Sequence, residues 1–307
     1  MKVLVTDPVD RLLIDILESR GLRVDYRPGI SREELLKIIP EYEVLVVRSR
    51  TRVDREVIER GGRLRVIARA GVGLDNIDVE YAVKRGIRVV NAPGAAAQSV
   101  AELTIGLLIA AARMFKAHIL ALERGEWSKG KWKGVELAGK TLGVVGFGRI
   151  GSRVARLARC IGMRVLAYDV IDASDRAEAI GAEFTRDFDR VLREADAITL
   201  HVPLTPETYH LIGREEFERM KDGVIIVNTA RGPIIDTRVL LEYLERGKVF
   251  AAALDVLEHE PPREDWEWRL VRHPRVIVVP HIGAETVEAK RRVAEETAYA
   301  ILEALER

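Results

Sequence analysis

The segment Leu142-Gly-Val-Val-Gly-Phe-Gly-Arg-Ile-Gly151 constrains this chain more than any other. An apolar run leads into Gly146-x-Gly148-x-x-Gly151, and a helix-like stretch follows. A second apolar run, residues 164–168, ends on Asp169, 18 residues beyond Gly151. Strand, glycines, helix, strand and acid in that order describe a dinucleotide-binding unit, in which the acid is expected roughly 20 residues past the glycines. The glycines let the backbone approach a pyrophosphate, and the helix N-terminus offers it free N–H groups. Such a loop in mid-chain leaves roughly the first 140 residues to a separate structural unit.

Short apolar strands alternate with amphipathic helices on both sides of this loop. The first series predicts strands at 3–6, 24–26, 44–48, 66–70 and 88–91, with helices near 9–20, 32–39, 54–60 and 78–85. The second predicts six strands, at 141–145, 164–168, 197–201, 223–228, 250–254 and 276–279. This alternation implies an α/β chain with two doubly wound parallel sheets, each covered by helices on both faces. Between the series, residues 98–123 read as one long buried helix rich in Ala, Leu and Ile. The last helix, 285–306, has no strand after it and is expected to return to the first unit. The expected domains are 1–97 with 285–307, and 98–284.

Composition narrows the partners. The net charge of +1 gives no electrostatic case for nucleic acid or an anionic membrane. A single cysteine, Cys160, rules out an intrachain disulfide, and its apolar surroundings predict a buried core thiol. No Cys/His cluster suggests a metal. Residues 1–7 begin as a strand, not as a signal peptide, and the apolar run 103–112 is too short to span a bilayer. A cytoplasmic location is the expectation. Asn76, Asn91, Asn228 and Gln98 are the only amide side chains, and Arg and Glu abound, a composition that leans thermophilic.

Several strands of the second series end on polar residues, on the side where an open parallel sheet takes its ligands. His201-Val202-Pro203 ends one, Asn228-Thr-Ala-Arg231 the next, Asp255 a third with Glu260 close behind, and Pro280-His281 the last. Arginine, glutamate and histidine suit oxidation of a 2-hydroxy acid. Arg231 can grip a carboxylate through two parallel hydrogen bonds. His281 can take the hydroxyl proton as hydride leaves, and Glu260 on its other ring nitrogen would orient it and favour the imidazolium. His201 falls beside the cofactor by position, whereas His259 reads as exposed.

The chain resembles the D-2-hydroxyacid dehydrogenase family. The matching segments are Arg69-Ala-Gly-Val-Gly-Leu-Asp-Asn-Ile-Asp78, Asn91-Ala-Pro-Gly94, Ser99-Val-Ala-Glu-Leu103, Gly146-Phe-Gly-Arg-Ile-Gly151, Asn228-Thr-Ala-Arg-Gly232, Leu254-Asp-Val256 with Glu260-Pro-Pro262, and Pro280-His-Ile-Gly-Ala284. The resemblance implies a Rossmann NAD domain inserted into a flavodoxin-like substrate domain, with Arg231, Glu260 and His281 as the catalytic trio. It places Val72, Gly146, Gly148, Arg149, Ile150, Gly151, Asp169, His201, Val202, Pro203, Thr229, Ala230, Asp255, Gly283 and Ala284 along the cofactor. Asp169 is followed by apolar Val170 and Ile171, and an acid there repels a 2′-phosphate, so NAD is expected over NADP.

The motifs are most similar to the phosphoglycerate branch, which implies oxidation of D-3-phosphoglycerate to 3-phosphohydroxypyruvate, the first step of serine biosynthesis. By that likeness Val72, Gly73 and Arg231 hold the substrate carboxylate, and Arg48, Arg69 and Lys129 meet its phosphate; Arg50 and Arg52 read as solvated surface. The family commonly dimerises through the nucleotide domain, so a homodimer is expected. The chain ends at Arg307, so serine feedback through an added regulatory domain is not expected. A glyoxylate/hydroxypyruvate reductase, a D-lactate dehydrogenase and an NAD-sensing corepressor-like binding protein remain as alternatives on the same scaffold.

Overall fold

Among the described residues, runs of Val, Ile, Leu and Ala form twelve short strands in two parallel sheets. A computed structural model describes residues 1–306, and the chain divides into two compact units. The first contains Met1–Ala97 and the stretch from Ala284 onward; the second is Gln98–Gly283.

In the first unit the strands are β1 (Lys2–Val5), β2 (Arg23–Tyr26), β3 (Val44–Val47), β4 (Val66–Arg69) and β5 (Arg88–Asn91), in the spatial order β2-β1-β3-β4-β5. Val3 and Val5 pack on one face against the helices Arg11–Ser19 and Val287–Glu306, through Leu13, Leu17, Ala298 and Ile301. Leu4, Leu45 and Ile67 fill the other face with Leu35, Ile39 and Val57. A sheet buried on both faces needs continuous apolar strands, which β3 (Val-Leu-Val-Val) supplies. Asp10, Ser31, Asp54 and Asp78 accept backbone N–H bonds at four helix starts.

In the second unit β6 (Thr141–Val145), β7 (Arg164–Tyr168), β8 (Glu183–Thr185), β9 (Ala197–Leu200), β10 (Val224–Asn228), β11 (Val249–Leu254) and β12 (Val276–Val278) run in the order β12-β11-β10-β9-β6-β7-β8. Seven strands stand where the sequence pattern predicts six. The additional β8 is three residues long, with Glu and Thr at its ends, too short and polar for an apolar run to mark it.

Two further expectations are corrected. The stretch 98–123 is two helices, Ala97–Ala112 and Phe115–Glu123, bent by 67°. The chain turns at Met114, which takes the left-handed conformation (φ 56°) without glycine or proline to announce it. Cys160 is exposed. Its helix, Arg149–Cys160, buries Gly151, Val154, Ala155 and Ala158, a stripe at i, i+3, i+4, i+7 that leaves position 160 outside. No single helix among the described residues is long and apolar enough to cross a membrane; the bent pair reaches that length only together.

Candidate active site

The strand order of the second unit reverses at β6, which has β7 on one side and β9 on the other. Open parallel sheets take ligands at such a reversal, outside the carboxyl ends of the strands. Gly146 to Gly151 leave β6 there. Gly146 has φ 92°, and a Cβ on it would meet the His201 carbonyl at 2.7 Å. A Cβ on Gly151 would lie 2.0 Å from the Gly146 oxygen. Both positions therefore exclude a side chain. The helix Arg149–Cys160 begins at Gly148 with no side chain bonded to its first N–H groups, which leaves those donors for an anion.

Asp169 closes the other wall. Its Oδ2 accepts from Phe147 N (2.8 Å) and its Oδ1 from Ile171 N (3.0 Å). His201 follows β9, with Nε2 on Thr199 Oγ1 at 3.0 Å. Its Nδ1 is buried with no hydrogen-bond partner, and burial pushes the imidazole down to about 3. It is a neutral ring at the rim of the glycine loop, followed by partly buried Val202 and exposed Pro203. Side-chain-free backbone, open helix donors and an acid bonded to the loop suit a dinucleotide.

Glu260 and His281 pair directly, Oε2 to Nδ1 at 2.8 Å. Burial alone would raise the Glu260 carboxyl, but the His281 hydrogen bond and charge outweigh it and hold it low. The same bond raises His281, against burial. His281 takes a left-handed backbone (φ 54°), rare outside glycine and asparagine. Its N–H donates to the carbonyls of Asp255 and Val279, and the buried Asp255 carboxylate accepts from Ile282 N (2.7 Å) and Gly283 N (3.0 Å). Asp255 thus acts on the backbone that carries the histidine. Burial raises its own carboxyl.

Arg231 stands on a turn set by Asn228, whose side chain donates to Arg231 O (2.8 Å) and accepts from Ala230 N (3.0 Å). Thr229 shares a hydroxyl contact with Thr104 at 2.9 Å. The turn abuts the Glu260 loop: a Cβ on Gly232 would meet the Leu257 carbonyl at 2.0 Å. Glu258 fastens that loop from below, accepting from Thr237 N (2.9 Å) and pairing with His210 at 3.2 Å. Sequence reasoning missed Glu258 and His210, because an acid in a run of acids has no pattern to mark it. His259 bonds the buried Glu267 at 3.0 Å and is not simply exposed.

In the first unit, Asp7 is buried after β1 and accepts from Arg48 N (2.6 Å), Thr51 Oγ1 (2.8 Å) and Arg50 Nε (3.0 Å). Arg50 also donates to Thr6 O and Ile30 O. It ties loops together, a structural role the solvated-surface expectation did not foresee. Arg48 leaves β3 and reaches Glu285 at 3.1 Å. Arg69 ends β4 with its guanidinium against Gly71, where a Cβ would stand 1.7 Å away. Val72, exposed, and Gly73 follow in the same loop, where Asn91 donates to Val72 O. Ala284 is partly buried, as is Ile150 on the glycine-loop helix, whereas Lys129 is exposed.

Residues 105–283 match the family model of the D-isomer specific 2-hydroxyacid dehydrogenase NAD binding domain. The chain is 51% identical over 291 residues to a D-3-phosphoglycerate dehydrogenase of Methanocaldococcus jannaschii, covering 95% of this chain and 55% of that one. It thus spans about half the length of that curated relative. It is 48% identical over 295 residues to a hydroxypyruvate reductase of Thermotoga maritima, covering 96% and 95%. The crystal structure of a D-lactate dehydrogenase from Aquifex aeolicus, complexed with NAD and lactic acid, superposes with a TM-score of 0.86 at 32% identity, covering 100% of this chain and 96% of that one. With more than half its residues matched by the family's own NAD-binding domain and a relative of nearly equal span at 48% identity, the chain belongs to the D-isomer specific 2-hydroxyacid dehydrogenases.

Proposed function

We propose that the chain oxidises D-3-phosphoglycerate to 3-phosphohydroxypyruvate. The observation that carries the hydroxy-acid chemistry is the 2.8 Å Glu260–His281 pair beside a turn that presents Arg231. Bound NAD supplies the hydride acceptor. Arg231 holds the substrate carboxylate, and the family likeness assigns the N–H groups of Val72 and Gly73 to substrate binding as well. Because Nδ1 of His281 is bonded to Glu260, Nε2 is the nitrogen that takes the hydroxyl proton; in reduction the imidazolium returns it. Asp169 holds the adenosine ribose, and its acid selects NAD over NADP.

The phosphorylated substrate is supported by the 51% likeness to the archaeal relative and by Arg48 and Arg69 at strand ends, with Lys129 as a further candidate. Reduction of hydroxypyruvate is the second reading, favoured by the Thermotoga maritima relative, which this chain spans almost end to end. Steady-state rates with 3-phosphoglycerate, hydroxypyruvate, glyoxylate and pyruvate, each with NAD(H) and NADP(H), test both. A kcat/KM that favours an unphosphorylated acid overturns the first. A second copy of the chain is the proposed protein partner, supported by exposed Phe115, Ile119, Leu122 and Trp127 along and after one helix.

A further inference from the structure

The first unit contains a cavity of about 160 Å³ lined by Pro8, Val9, Asp10, Arg48, Lys290 and Val293, among others. Its place in the sheet is informative. The order β2-β1-β3 reverses at β1; Pro8, Val9 and Asp10 leave β1, and Arg48 leaves β3. An open parallel sheet takes a ligand between those two strand ends. Ala70, Ala284 and Ala294 also line it, so short side chains keep the space open. At about 30 Å³ per water, it has room for several waters or one compact polyatomic group.

Two cations, Arg48 and Lys290, face this space, and one carboxylate already bridges them. Glu285 accepts from Arg48 Nη2 at 3.1 Å through Oε1 and from Lys290 Nζ at 2.5 Å through Oε2. The Lys290 bond first, then Arg48, hold the Glu285 carboxyl below the usual range, so it is an anion at neutral pH. Glu285 itself stands beside the cavity, and the acid of the lining, Asp10, is spent on the N–H of Leu12 at a helix start. The Arg48 backbone is fixed at both ends, by Asp7 on its N–H and Asn76 on its carbonyl. Glu285 and Lys290 are part-exposed, and an exposed ion pair exchanges readily. A phosphate monoester carries more charge and three acceptor oxygens, enough to bridge the same two donors.

We infer that Arg48 and Lys290 form a phosphate-monoester site at the β1/β3 reversal, and that Glu285 is its built-in competitor, a carboxylate the phosphate displaces. The inference rests on the reading of the substrate as a phosphorylated hydroxy acid, and adds Lys290 and Glu285 as its specificity determinants.

Kinetics of the full chain test it. Lys290→Ala should raise KM for 3-phosphoglycerate about tenfold, as expected for one charge-assisted bond, and change KM for hydroxypyruvate much less. Lys290→Arg should restore most of the loss. Glu285→Gln should act oppositely, lowering several-fold both that KM and the inhibition constant of inorganic phosphate. If the wild type prefers 3-phosphoglycerate but Lys290→Ala leaves its KM unchanged, or Glu285→Gln raises it, the inference is overturned while the activity stands. If the wild type shows no such preference, the substrate reading has failed and calorimetric titration with inorganic phosphate decides. Binding that Lys290→Ala abolishes supports the anion site, and equal or absent binding in both proteins overturns it.

Discussion

His281 shows how one neighbour sets a residue's working range. Glu260 raises it above the ordinary 6.5, so the neutral ring needed to accept a proton dominates only above that raised value. Oxidation should therefore weaken as pH falls through it, and reduction should weaken as pH rises through it. Glu260→Gln removes the largest raising cause, so the acid limb of the oxidation profile should move to lower pH; a pH–rate series that shows no displacement counts against the assignment. His281→Ala should lower kcat about 10²- to 10⁴-fold, the usual worth of a positioned acid–base group. Arg231→Lys keeps the charge but loses the planar fork, so KM for the hydroxy acid should rise at least about tenfold, measured with NAD saturating.

Between residues and domains, the loops decide the geometry. Gly232 fits against the Leu257 carbonyl only because it lacks a side chain. Gly232→Ala should cost about 1–3 kcal/mol of stability through overpacking and lower kcat by shifting the Glu260 loop, with calorimetry and kinetics on the same sample as the check. What the sequence made legible follows from this division. Val3 to Val5, Val44 to Val47 and the run before Gly146 are apolar because both sheet faces are buried, and that signal is continuous and local. The glycine loop was legible because only backbone can pass there. The break at Met114 was not, since a residue without glycine or proline chemistry carries the left-handed turn. Nor was the Asp7 clasp on Arg48, Arg50 and Thr51, because its partners lie more than 40 positions away. Cys160 was readable in principle from the stripe of its own helix, but an apolar neighbourhood in sequence is not one in space.

Across the whole molecule, charge is organised into small networks. Arg190 joins Glu183 and Glu194, and Arg32 joins Asp54 and Glu56. Networks of this kind gain relative worth as temperature rises. With so few amide side chains, thermal unfolding is expected above about 65 °C, the upper edge for mesophilic domains; a scanning-calorimetry midpoint below it would refute the thermophilic reading. The apolar strip of Ile119, Leu122 and Trp127 makes a second expectation, that Leu122→Glu converts a dimer to monomer in light scattering without lowering the melting midpoint. One small bond reaches further than its size. Ser99 Oγ donates to Gly283 O at 2.7 Å, so the second unit starts and finishes at almost one point. An excised 98–283 segment would carry its two ends side by side, like a cassette with a single socket, and the flanking pieces could be rejoined by a short linker.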